Sequence, residues 1–126
     1  MKLLPSVLSV LALAWATPAF AHAHPERTSP ARNATVPVAP ATVSIWFDDD
    51  VQPAMTHVEV KLDGKVVSVG KGKVDAKSPK LLSVPIAHAG AGKYTVSWHA
   101  VADDGHPSKG TFQFTVKAAG SKATKP

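Results

Sequence analysis

Apolar side chains in this chain recur at every second position in short runs, and that spacing limits the fold more than any other feature. From Lys93 to Val101, Tyr94, Val96 and Trp98 alternate with Thr95, Ser97 and His99. A period of two places one set toward a core and the other toward solvent, as on a half-buried strand. The same pattern runs from Thr42 to Phe47, where Val43, Ile45 and Phe47 oppose Thr42, Ser44 and Trp46. It recurs from His57 to Leu62, and from Gly110 to Lys117 with Phe112, Phe114 and Val116 inward. No segment shows helical periodicity. Asp63-Gly64 is a two-residue hairpin signal, with Lys65 to Val69 as the return strand. Gly70 to Lys80 reads as a polar, lysine-rich loop, Leu81 to Ile86 as a short strand and His88 to Gly92 as a turn. Upstream, Thr28 to Ala34 reads as a turn-rich lead-in. The prolines of Val36-Pro37-Val38-Ala39-Pro40 forbid a helix and favour extended chain at a sheet edge. About seven short alternating strands with regular turns predict an antiparallel Greek-key β-sandwich or barrel, Ig-like or cupredoxin-like. In such a fold the first strands and the last hairpin pair with distant neighbours, and a free N-terminus can reach the turn before the last strand.

The 126 residues favour one domain. Residues 1–23 read as a secretory leader: Lys2 is the charged region, Leu3 to Ala16 the apolar region, and Ala19-Phe20-Ala21-His22-Ala23 the cleavage zone. Pro5 and Pro18 interrupt the apolar run, which falls short of the roughly 20 residues a membrane span needs. The expected organisation is a leader over 1–23, a domain over 24–118 and a polar, disordered tail over 119–126. The chain is expected to be exported to the periplasm. It has no cysteine, so its stability must come from the core, and thiolate chemistry is excluded. Losing Lys2 with the leader lowers the formal charge from +5 to +4. The lysines are scattered without interleaved aromatics, which argues against a nucleic-acid surface.

Two stretches carry metal chemistry. Cutting after Ala23 makes His24 the first residue, with a free α-amine beside its ring. An α-amine has a pKa of about 7.7–8.0, so a metal can displace its proton near neutrality. Pro25 has no N–H and cannot offer a deprotonated amide nitrogen. Cutting after Ala21 leaves His22-Ala23-His24, a terminal chelate that also suits Cu(II) or Ni(II). The second stretch is Asp103-Asp104-Gly105-His106-Pro107, where a carboxylate and an imidazole two residues apart can point into one volume. By itself, such a pair is more often solvated turn chemistry. Asp48-Asp49-Asp50 reads as a charged strand end, with one carboxylate as a candidate to lean on the metal.

Several stretches together resemble the CopC family of periplasmic copper-binding proteins. These are Ala21-His22-Ala23-His24-Pro25, Ser29-Pro30-Ala31, a strand ending in Phe plus acids, Gly92 to Val101, and Asp104-Gly105-His106-Pro107 before Gly110 to Val116. The match spans essentially the whole mature chain. It implies a sandwich or barrel of seven to nine strands that binds Cu(II), with the amine and ring of His24, the ring of His106 and the carboxylate of Asp104 as ligands. Asp49 stands where some members have a Glu, one methylene shorter, and is a candidate additional contact rather than part of that set. The family also implies a CopD-like inner-membrane copper transporter as partner. The residues agree with the resemblance, since amine and imidazole nitrogens with one oxygen favour Cu(II). Some relatives carry a methionine-rich loop for Cu(I). Here Met55 and Met1 are the only methionines, so one Cu(II) site and no Cu(I) site is expected.

The functional expectation is a monomeric copper carrier or buffer and not an enzyme. The alternatives are a copper monooxygenase using the same histidine brace, or a metal-free Ig-like interaction domain. A monooxygenase needs a flat aromatic surface, and the mature chain has one Tyr and two Trp. No nucleophile–base constellation for hydrolysis is present. His57 and His99 are assigned to polar strand faces, His88 to a turn, and Trp46 and Trp98 to core or near-core positions.

Overall fold

The computed structural model describes residues 23–87 and 89–118. The expected leader through His22, His88 and the expected tail lie outside the described residues. Nine strands form: β1 (Pro25–Ser29), β2 (Thr35–Val36), β3 (Thr42–Phe47), β4 (His57–Leu62), β5 (Lys65–Val66), β6 (Lys73–Val74), β7 (Leu81–Pro85), β8 (Gly92–Val101) and β9 (Pro107–Val116). They make a four-stranded sheet in the order β1-β3-β7-β6 and a five-stranded sheet in the order β2-β9-β8-β4-β5. The chain crosses between sheets after β1, β2, β3, β5 and β7, giving the predicted β-sandwich.

The alternating positions meet between the sheets. Val43, Ile45 and Phe47 of β3 and Leu82 and Val84 of β7 are buried on one side. Val58, Val60, Tyr94, Val96, Trp98, Phe112 and Phe114 close the core from the other. Tyr94 stacks on Phe114 with centroids 4.8 Å apart. Trp98 meets Phe47 edge-on across the two sheets at 5.4 Å. The Asp63-Gly64 hairpin forms as expected, with both residues at positive φ (49° and 83°).

Six expectations need correction. Thr28 and Ser29 of the expected lead-in belong to β1, which pairs antiparallel with β3. The sandwich is not wholly antiparallel, because β2 runs parallel to β9. The return strand stops at Val66, the loop after it contains β6, and β9 begins at Pro107 rather than Gly110. Trp46 is not a core residue: it is half-buried on the outer face, with the Arg27 guanidinium 3.9 Å above its ring.

Trp98 lies directly over Gly110, its cross-strand partner. A Cβ at residue 110 would come within 2.7 Å of the indole Cζ2 and 3.0 Å of Cε2. Gly110→Ala should therefore lower stability by about 1–3 kcal/mol by overpacking, read as a fall in Tm. The Tyr94 hydroxyl donates to the Gly90 carbonyl at 2.6 Å. Burial, with a smaller contribution from Asp63, raises its pKa above 10.0. The folded phenol therefore holds its proton while the unfolded one ionises, so this contribution is complete below pH 10 and is lost as pH rises through the folded pKa. Tyr94→Phe should cost about 1 kcal/mol near neutral pH, and its Tm deficit should narrow above pH 10.

Candidate metal centre

Three segments converge at one end of the sandwich. The hairpin between β8 and β9 is closed by Ala102 N–H donating to the His106 carbonyl at 3.0 Å and Gly105 N–H to the Ala102 carbonyl at 2.8 Å. The segment after β3 is tied to this hairpin. Asp103 N–H donates to the Asp50 carbonyl at 3.0 Å and Gln52 N–H to the Val101 carbonyl at 2.8 Å. Gln52 Nε2 donates to the Ala102 carbonyl at 3.1 Å, and Val51 bridges Ala102. The third segment is the chain ahead of β1. Asp48 N–H donates to the His24 carbonyl at 2.8 Å. The buried Ala23 offers its carbonyl to the Ser108 hydroxyl at 2.7 Å. Ser108 lies two residues past His106, so the start of the described chain is led to the Asp-x-His turn.

Within that turn the two expected groups do meet. His106 Nδ1 lies 3.0 Å from Asp104 Oδ2, and His106 N–H donates to Asp104 Oδ1 at 3.1 Å. A carboxylate can only accept, so Nδ1 carries the proton and Nε2 the lone pair, the usual way of presenting an imidazole to a metal. Asp104 thus grips its own neighbour through both oxygens. The carboxylate that reaches His24 is Asp48, whose Oδ1 accepts from His24 N–H at 2.7 Å. Asp49 instead accepts the Asp50 N–H at 2.8 Å, a local turn contact. Asp48 was not singled out from sequence, and only its place at the end of the β3 run hinted at a role. Among the described residues no group of three or more His, Asp or Glu side chains is gathered closely enough to hold a metal. The chain still runs through residue 23 here, so His24 N is a peptide nitrogen rather than an amine.

The fold is a small β-sandwich domain in which the chain ahead of β1, the segment after β3 and the β8–β9 turn meet at one end. Comparison with known proteins agrees. The family model for the CopC domain matches residues 25–117. Copper resistance protein C of Xanthomonas campestris pv. juglandis is 34% identical over 121 residues, covering 89% of this chain and 93% of its own. Protein YobA of Escherichia coli K12 is 34% identical over 113 residues, covering 87% and 91%. The crystal structure of CopC from Methylosinus trichosporium OB3b superposes with a TM-score of 0.72 at 28% identity, over 77% of this chain and 95% of that one. The chain belongs to the CopC family.

The Ala102 carbonyl belongs to a fully buried residue, and Gln52 is its side-chain partner. That carbonyl also accepts from Gly105 N–H, so Gln52→Ala should cost about 0.5–1.5 kcal/mol, the loss of one of its two hydrogen bonds. It should also speed amide hydrogen exchange at residues 103–106 relative to the core of β8.

Proposed function

We propose that the mature protein is a periplasmic copper carrier or buffer that binds one Cu(II) ion at this end of the sandwich. The ligands in this reading are the α-amine and ring of His24 and the ring of His106, with Asp104 beside them as orienting partner and oxygen donor. The observation that carries it is the double contact of Asp48 with His24, which holds the first mature residue on the segment that Asp50 ties to the His106 turn. Cleavage after Ala23 converts the nitrogen now held by Asp48 into an amine. Asp48 then accepts an N–H from that amine and steers its lone pair, a supporting role the sequence did not indicate. Amine and imidazole donors suit Cu(II) by ligand type and by the Irving–Williams order. Thioether chemistry for Cu(I) has little support, since Met55, 53% exposed, stands without a second methionine outside the leader.

Two observations favour a carrier over an oxidase. Tyr94, Trp98 and the described phenylalanines are buried, so Trp46 is the one aromatic ring among the described residues that is not. That leaves no flat aromatic platform for a polymer. The donor cluster also sits on loops at an edge of the molecule, open to a receiving protein, and a CopD-like membrane transporter is the partner this reading implies. No helix among the described residues is long and apolar enough to cross a membrane.

The test is to express the full chain with its own leader, record the intact mass of the exported product, and titrate it with CuCl2 by EPR. The reading expects a chain starting at His24 and one tight equivalent. His106→Ala, or one alanine added before His24, should weaken that equivalent at least about 10-fold, and Asp48→Asn should weaken it about 10-fold as a loss of orientation. A chain starting at His22 whose copper ignores His106→Ala would move the metal to a terminal His-Ala-His chelate. The absence of a stoichiometric equivalent would overturn the reading.

A further inference from the structure

We propose a second metal-binding site on the outer face of the five-stranded sheet, formed by the paired imidazoles of His57 and His99. It takes a divalent late first-row transition ion, Cu(II) most tightly. The two residues are directly opposite each other in the β4–β8 ladder, and alternation turns both side chains outward beside Glu59 and Ser97. Their rings are stacked, centroids 5.1 Å apart and planes 17° from parallel. Opposed residues on neighbouring antiparallel strands have Cβ atoms about 4.5–5.5 Å apart. From there two imidazoles need only converge at their tips to ligate one ion at roughly 2.0–2.1 Å each.

A second observation points the same way. His99 Nδ1 lies 3.2 Å from the Met55 carbonyl. A carbonyl only accepts, so Nδ1 carries the proton and Nε2 the lone pair. An imidazole held through Nδ1–H by a backbone carbonyl is the common outer arrangement of a metal-ligating histidine. The Met55 carbonyl comes from the short turn Pro53–Met55, ahead of β4. His57 opens β4 two residues later, so one local segment both orients His99 and supplies its partner.

The surroundings define what the site holds. His57, Glu59, Ser97, Trp98, His99 and Lys109 line one shallow depression. Glu59 adds negative charge on the same face, although its carboxylate also lies 3.6 Å from Lys61 Nζ. With two protein nitrogens and the remaining positions left to water, the site is open and exchangeable. Imidazole donors select copper, nickel and zinc over calcium and magnesium. Along the β8–β9 ladder His99 is two positions from the Val101–Pro107 pair, so this site lies on the same end of the sheet as the His106 turn.

The probe is CuCl2 added to mature protein already carrying one equivalent of Cu(II). Wild-type protein should take up a second, weaker equivalent. His57→Gln and His99→Gln should each weaken that second equivalent about 100-fold, because the second contact of a chelate acts at high effective concentration. Neither should alter the first equivalent; His57→Gln should leave Tm unchanged, and His99→Gln should lower it only slightly through loss of the Met55 contact. If the N-terminal site takes no copper, the same two variants should weaken the first equivalent instead, which separates this proposal from the function proposed above. No added equivalent, an equivalent unaffected by either substitution, or a loss of only about twofold in each variant would overturn the proposal.

Discussion

The unbroken pairing of β8 with β9 is the constraint on which the rest of the molecule depends. Ten residues of each strand run in register, from Gly92 opposite Val116 to Val101 opposite Pro107. That ladder carries Tyr94, Val96, Trp98, Phe112 and Phe114 into the core, and β4 and β2 hang on its two sides. It also ends in the turn that holds Asp104 and His106. A loop site is only as well placed as its support. Here the turn projects from a rigid two-stranded ribbon whose last ring, Trp98, is locked between Phe47 and Gly110. Such support holds donors near one geometry without a metal to organise them.

The strands that could be read from sequence are those whose own side chains decide their geometry. β3, β4 and β8 each put a clean row of apolar residues on one face, and burial follows that row residue by residue. β1, β2 and β6 escaped because nothing in their composition demands a strand. β1 exposes most of its residues and is drawn into extension by the unpaired edge of β3. β2 and β6 have two residues each and exist as partners of longer strands. An edge strand is specified by the groups it satisfies on its neighbour, and those are invisible in its own sequence. Trp46 failed in the opposite sense. It is assigned from sequence to a core or near-core position, but its parity in β3, opposite Val43, Ile45 and Phe47, puts it outside, where Arg27 covers the ring.

The same division runs through the candidate centre. Asp104 and His106 were legible because their relation is local: two residues apart in a tight turn, they can bond whatever the rest of the chain does. The choice between Asp48 and Asp49 depends on the chain start, 24 residues upstream. Asp48 engages His24 twice, donating its N–H to the carbonyl and accepting at its carboxylate. Asp49, at the position the family resemblance indicated, spends its carboxylate on the following amide. A contact closed by strand pairing over that separation leaves no periodic trace.

The histidines of β4 and β8 carry this argument furthest. Alternation alone assigns both to a polar face, where a lone imidazole is unremarkable. What makes them a pair is register. A slip of one residue between β4 and β8 would turn one ring inward and break the alignment of the other. The register is fixed by burial on the opposite face, where Val58 sits across from Trp98 and Val60 across from Val96. Apolar packing inside the sandwich therefore sets the spacing of two nitrogen ligands outside it. It does so without a loop, and so without the ordering cost a flexible chelate would bear. The N-terminal centre proposed above works differently, since in that reading its amine exists only after cleavage and its parts come from three separate segments. The two proposed sets of donors thus differ in origin, one made by processing and the other by register.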